Sequence, residues 1–218
     1  MIFGAHLAEN IRLTEIDDSN RDLHPRLTLD DKCVFLFEYT SGKRWDFSTT
    51  NGLIKTLKRK PDQKGQYYKN QEIEKCGNLF RTTLSDEWLS SGTLVPIPPS
   101  KAFGDPAYDN RMERICRAIR PNLDVRLLVS QRNSTIAAHE RGTAPRPTIE
   151  ELIENYEIDE TLTHPAPSTI AIFDDVLTAG THFKAVKTVL SARFPAVPIY
   201  GIFIARRVFP EVQIEDWF

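Results

Sequence analysis

Cysteine is scarce in this chain of 218 residues: Cys33, Cys76 and Cys116 are odd in number and far apart. They form no metal or redox motif, and free thiols are expected. The lone histidines His6, His24 and His164 lack metal-ligand spacing and suit packing or solvent contact. No apolar run approaches the length of a membrane span. The N-terminus meets Glu9, Glu15, Asp17 and Asp18 without a long apolar core, so no signal peptide is expected. Neither sign of charge dominates: the formal net charge of −2 argues against a dominant nucleic-acid surface. Repeats and low-complexity tracts are missing too. What remains, 40% hydrophobic and 27% charged residues, is the balance of a soluble globular protein. A cytoplasmic protein of one domain, with room for a small appended subdomain, is the expectation.

Hydrophobic periodicity then places the elements. Residues 34–39 read as a strand, Ser41-Gly42-Lys43 as a turn, and Arg44 to Ser48 as the partner strand of a hairpin. A helix is expected after Asn51, ending before Pro61. Ile73, Cys76, Leu79, Phe80 and Leu84 keep helical spacing across a second helix. Leu94 to Pro98 reads as a strand, followed by a helix carrying Met112, Ile115, Cys116 and Ile119. Val125 to Val129 reads as another strand, residues 130–148 as a long polar stretch, and 149–156 as a short helix. A helix with Val186, Val189 and Leu190 and a last strand at Ile199 to Ala205 close the pattern. Strands alternate with helices from residue 93 onward, which predicts an α/β fold with a mainly parallel twisted sheet covered by helices on both faces.

Residues 170–182, Ile-Ala-Ile-Phe-Asp-Asp-Val-Leu-Thr-Ala-Gly-Thr-His, carry the most chemistry. Four apolar residues form a buried strand, and Asp174 and Asp175 follow at its C-terminal end. The small-residue turn from Thr178 to Thr181 leads into an amphipathic helix. A turn at a helix N-terminus offers unpaired N–H groups and the positive end of the helix dipole to a phosphate. Gly180 permits close backbone approach, and Thr178 and Thr181 add hydroxyl donors. Two carboxylates would repel that phosphate, so they suit sugar hydroxyls or a divalent cation. The alternative is an ordinary strand, acidic turn and N-capped helix.

This segment resembles the signature of type I phosphoribosyltransferases, which bind phosphoribosyl pyrophosphate (PRPP). The resemblance implies that Asp174 and Asp175 contact the ribose 2′- and 3′-hydroxyls and the metal. It also implies that Leu177, Thr178, Ala179, Gly180 and Thr181 surround the 5′-phosphate. His182 stands where the family usually has a small residue, and Ala179 replaces the commoner threonine. Leu94-Val95-Pro96-Ile97-Pro98, opening into Pro99-Ser100-Lys101-Ala102-Phe103-Gly104, resembles the pyrophosphate loop of the ComF-like branch. There the resemblance implies that Ser100 and backbone amides hold pyrophosphate oxygens, Lys101 supplies charge, and Arg111 reaches the same anion. The polar stretch 130–148 matches the position of the family's mobile loop, with Arg132, Arg141, Arg146 and His139 as candidate closing cations. Residues 1–90 would form the hood and 91–218 the core.

The resemblance further implies Mg²⁺-PRPP as donor and transfer of ribose 5-phosphate to a small-molecule nucleophile. Mg²⁺, Lys101 and a lid arginine such as Arg132 would hold the leaving pyrophosphate. The acceptor is unreadable from sequence. A regulator that binds PRPP or a nucleotide without turnover, as a partner in DNA or RNA processing or in defence, is the other hypothesis. Lys55, Lys58, Arg59, Lys60, Lys64 and Lys69, near Tyr67 and Tyr68, form the one basic cluster, which reads more simply as a solvated face than as a nucleic-acid surface. The final Asp216-Trp217-Phe218 would dock onto its own chain or form a homodimer contact.

Overall fold

The computed structural model describes residues 11–135 and 146–210. Six strands form the central sheet: β1 (Thr14–Glu15), β2 (Cys33–Thr40), β3 (Thr93–Pro96), β4 (Asp124–Val125), β7 (Ile170–Leu177) and β8 (Ile199–Val208). Their spatial order is β1-β2-β8-β7-β3-β4, and every neighbouring pair is parallel except β1 with β2. The helices are α1 (Thr49–Leu57), α2 (Gln66–Thr83), α3 (Asp86–Ser91), α4 (Arg111–Ile119), α5 (Ile149–Asn155) and α6 (Thr181–Arg193). A small antiparallel pair, β5 (Val129–Gln131) with β6 (Tyr156–Ile158), stands apart from the main sheet. Among the described residues no helix is long and apolar enough to cross a membrane.

The sheet separates two cores. Alternate residues of β7 divide between them, as the period of two requires. Ala171 and Phe173 pack with Leu53 and Leu57 of α1, Ile73 and Phe80 of α2, and Ile115 of α4. Ile170 and Ile172 pack on the other side with Phe183 and Leu190 of α6 and Leu152 of α5. A strand stretch buried on both faces must be apolar, and Ile170 to Phe173 form that stretch of β7, one of the two central strands. Ligand clefts in such sheets open beyond the C-terminal strand ends.

Two expected elements are corrected. Arg44 to Ser48 do not form a hairpin strand; they are turn and bend, with Trp45 and Phe47 exposed. Buried Asn51 explains this. Its amide donates to the carbonyls of Thr40, Lys43 and Arg44, and its side-chain oxygen accepts from Thr40 N–H, so the turn's carbonyls go to α1 rather than to a ladder. Ser48 instead caps α1, accepting from Asn51 N–H at 3.1 Å. β2 pairs in parallel with β8 and antiparallel with β1, so residues before 90 supply two strands of the central sheet as well as α1, α2 and the start of α3. The strand expected over Val125 to Val129 is split between β4 and β5. Arg126, at the break, turns to Asp124 and to the carbonyls of Leu162 and Pro165.

Candidate functional site

A cleft of about 400 Å³ lies at the C-terminal end of β3 and β7. Its walls bring together Ser100 and Lys101 from the loop after β3, Asp174, Asp175 and Thr178 from β7 and the turn beyond it, and His182 from α6. These sequence candidates converge from segments some seventy residues apart. Lys58, Lys60 and Pro61, from the connection between α1 and α2, complete the wall.

β7 extends through the acid pair to Leu177, so the two carboxylates leave opposite faces of the strand. Asp175, 6% exposed at its side chain, faces α1 and α4. Its Oδ2 accepts from Arg111 Nη2 at 2.7 Å and Nε at 3.3 Å, and its Oδ1 lies 3.2 Å from Lys58 Nζ. Burial opposes its charge, but Lys58 and Arg111 together prevail and hold the carboxyl well below the usual range. Half-buried Asp174 accepts the Asp175 backbone N–H at 2.8 Å. Burial first, and the neighbouring Asp175 charge second, push its carboxyl well up.

Arg111, expected on the pyrophosphate, lines the cleft and is tied there to two carboxylates. It binds Asp175 on one side and Asp109 on the other, where its Nη1 meets Oδ2 at 2.8 Å. Asp109 is held from behind by Lys69, whose ammonium is buried and donates to both carboxylate oxygens at 2.8 Å. Lys69, Asp109, Arg111, Asp175 and Lys58 thus form one alternating chain of charges running into the cleft. The basic cluster read as a solvated face is therefore divided. Lys58 and Lys60 line the cleft, Lys69 is buried behind it, and Arg59 donates to the Lys64 carbonyl. The signal available in sequence was Lys58-Arg59-Lys60-Pro61 at a helix end, but nothing there showed which way the side chains turn.

The phosphate-loop candidates fall where strand gives way to helix. Leu177 is buried, paired in register with Arg206 of β8. Thr178 faces the cleft, Gly180 occupies the N-cap position of α6, and Thr181 is its first residue. Glycine brings no side chain to cap the helix, and no side-chain cap bond is made there. Gly180 has φ +90°, a left-handed backbone that favours glycine, and an added Cβ would sit 2.9 Å from Leu27 Cδ2. Backbone conformation and Leu27 beneath it thus suffice to require glycine here. The Ala179 carbonyl accepts from Arg26 N–H at 2.9 Å, and His24 Nδ1–H donates to the Thr178 carbonyl. His24 is wholly buried, and burial, then Arg206 and Arg207, push its pKa down. The same segment is pinned to α6 through buried Asp31, which sits 2.7 Å from both Lys184 and Lys187. Burial opposes the Asp31 charge, but those two ammonium groups carry its pKa down to about 2. This support from residues 24–31 had no motif in the sequence.

On the α6 side of β7, the Tyr156 hydroxyl and His182 Nδ1 share a 3.2 Å hydrogen bond. His182, the departure from the family pattern, therefore has a partner there. Burial and the Asp174 charge push the Tyr156 phenol up. Arg132 lies elsewhere. It is exposed, donates from Nε to the Tyr156 carbonyl at 3.3 Å, and does not line the cleft. His139 and Arg141 lie outside the described residues. Arg146 is exposed, and its charge, after burial, helps push Arg207 down.

The acid pair does not suit a metal held by the protein. Asp175 already has two cationic partners, and no group of three potential ligands occurs among the described residues. The arrangement instead offers a helix N-terminus without a side-chain cap, a carboxylate beside it, and lysine side chains on the opposite wall. No protein-family model matches the chain, and no curated protein matches it.

Proposed function

We propose that the chain is a phosphoribosyltransferase of the type I fold. It binds PRPP with its magnesium ion and transfers ribose 5-phosphate to a small nucleophile, releasing pyrophosphate. One observation carries the reading: the acid pair and the uncapped N-terminus of α6 share a cleft with Lys58, Lys60, Ser100 and Lys101. A molecule with phosphate at one end, vicinal hydroxyls in the middle and diphosphate at the other matches that order of groups.

In this reading the turn from Thr178 to Thr181 and the first N–H groups of α6 hold the 5′-phosphate. Asp174 accepts from ribose hydroxyls, while Arg111 and Lys58 fix the Asp175 carboxylate beside it. The bond from the anomeric carbon to the diphosphate oxygen breaks with its electron pair going to pyrophosphate, and the acceptor's lone pair forms the new bond. Lys101, Ser100 and Lys60 stabilise the negative charge that grows on the leaving group, an interaction strongest in the transition state. Magnesium belongs to the diphosphate substrate, and no step depends on a metal resident in the protein. Fixing the sugar at both ends makes attack nearly intramolecular.

The neutralised Asp175 favours a second reading, a PRPP-binding regulator without turnover, because its lone pairs are already taken by Arg111 and Lys58. Pyrophosphate release from magnesium PRPP across a panel of nucleobases separates the two. Turnover is expected in the parent, with Lys101→Ala lowering the rate more than PRPP affinity. Tight PRPP binding with no release across the panel selects the regulator, and no PRPP binding rejects both.

A further inference from the structure

Behind the loop that follows β3 lies a second cleft, of about 330 Å³. Ile97, Pro98, Pro99, Lys101, Asp109 and Met112 line both clefts, so this loop and the start of α4 are a partition with a cavity on each side. None of Asp174, Asp175, Thr178 or His182 reaches the second cavity.

The two cavities differ in chemistry. The main cleft gathers Lys58, Lys60 and Lys101, whereas the second one sets Glu113 and Asp159 beside Lys101. Its walls are largely apolar, with Leu127 and Val129 among them. Phe103 stands at its rim with 84% of its surface exposed, edge-on to Tyr108 at 5.6 Å between centroids. Gly104, at φ +90°, makes the turn that presents this ring. An uncovered phenyl beside an apolar cavity is the pattern of a ring awaiting a stacking partner.

Two polar groups in the cavity are free to read such a partner. Asn110 occupies the N-cap position of α4 without capping it, and its amide makes no hydrogen bond among the described residues. The hydroxyl of half-buried Tyr108 makes none there either. An amide offers one donor edge and one acceptor edge, which suits a ring carrying adjacent donor and acceptor atoms. Glu113 and Asp159 each give one carboxylate oxygen, to Arg117 and to Thr161, and the second oxygen of each favours an amino group on that ring.

We propose that the second cleft binds a neutral, planar heteroaromatic ring bearing an amino group, stacked on Phe103 and read by Asn110. The ring lies on the far side of the partition from the acid pair, so it acts as an effector rather than as the group that receives ribose. The effector role rests on the phosphoribosyl-transfer reading, whereas the binding of the ring does not. Any ligand that orders residues 97–103 from behind changes the affinity of the wall they present to the main cleft, and the effect is reciprocal.

Adenine is the probe, and its binding to the full chain is followed by saturation-transfer NMR without PRPP. The parent is expected to bind. Phe103→Ser, at a site too exposed to affect folding, should weaken binding about tenfold. Leu127→Trp should abolish it by filling the cavity, and Asp174→Asn should leave it unchanged. No adenine binding to the parent overturns the proposal. So does unchanged affinity in Phe103→Ser, or binding lost in Asp174→Asn but kept in Phe103→Ser, which would put the ring in the main cleft.

Discussion

On the face of β7 that meets α1 and α4, Asp175 has Arg111 at 2.7 Å and Lys58 at 3.2 Å. On the face turned to α6 and β6, Asp174 has one backbone N–H and a charge that disfavours ionisation of Tyr156. Adjacent residues of one type have thus been given opposite tasks by the pleat of the strand. Asp175 is an anchored counter-ion at the end of a relay that begins at Lys69. Asp174 is the carboxylate with acceptor capacity left for a ligand. The resemblance treats the acids as a pair that shares a sugar; the surroundings separate them into one already tied to two cations and one that holds a single backbone N–H.

Breaking the anchored side should have the largest effect. Arg111→Met leaves Asp175 and Asp109 without their shared guanidinium in a buried setting, and removing one partner of such a pair costs about 3–5 kcal/mol. Denaturant unfolding should show this loss, with Arg111→Lys intermediate because an ammonium cannot span both carboxylates as a guanidinium does. A loss below about 1 kcal/mol would mean that the relay does not hold the site.

Sharpening the comparison needs a smaller effect of opposite sign. The folded pKa of Asp174 is raised above its ordinary 3.8, so the native state retains a proton that the unfolded chain releases. Its contribution to stability therefore falls as pH rises above 3.8. Asp174→Asn removes that fall and should raise the melting temperature at pH 8 by a few degrees, with little change at pH 4. Asp175 is shifted the other way. Its contribution is present above 3.8 and fades as pH falls below it, so Asp175→Asn should lower the melting temperature at pH 8. Equal shifts in the two variants would erase the distinction.

The strand, acid pair, turn and helix were legible because they are local. Strand, acids, small turn and helix follow one another within thirteen residues, and chain order alone fixes their geometry. The cationic side was illegible because its parts are distant. Lys58 reaches Asp175 across more than a hundred residues, and a run of lysines at a helix end reads the same whether it faces water or a carboxylate. Asn51 misled in a similar way. Arg44 to Ser48 has the look of a strand until a buried side-chain amide takes the backbone groups that pairing would need. His24 and Asp31, which hold the turn from beneath, carry no pattern that periodicity detects.

Titrating magnesium PRPP into the full chain by calorimetry, with the parent and the folded Asp174→Asn variant side by side at pH 8, tests the central claim most directly. The account predicts binding in the parent and about a tenfold or greater loss in the variant, since a neutral amide forfeits a charge-assisted hydrogen bond to the ribose. Equal affinity in the two proteins would contradict it.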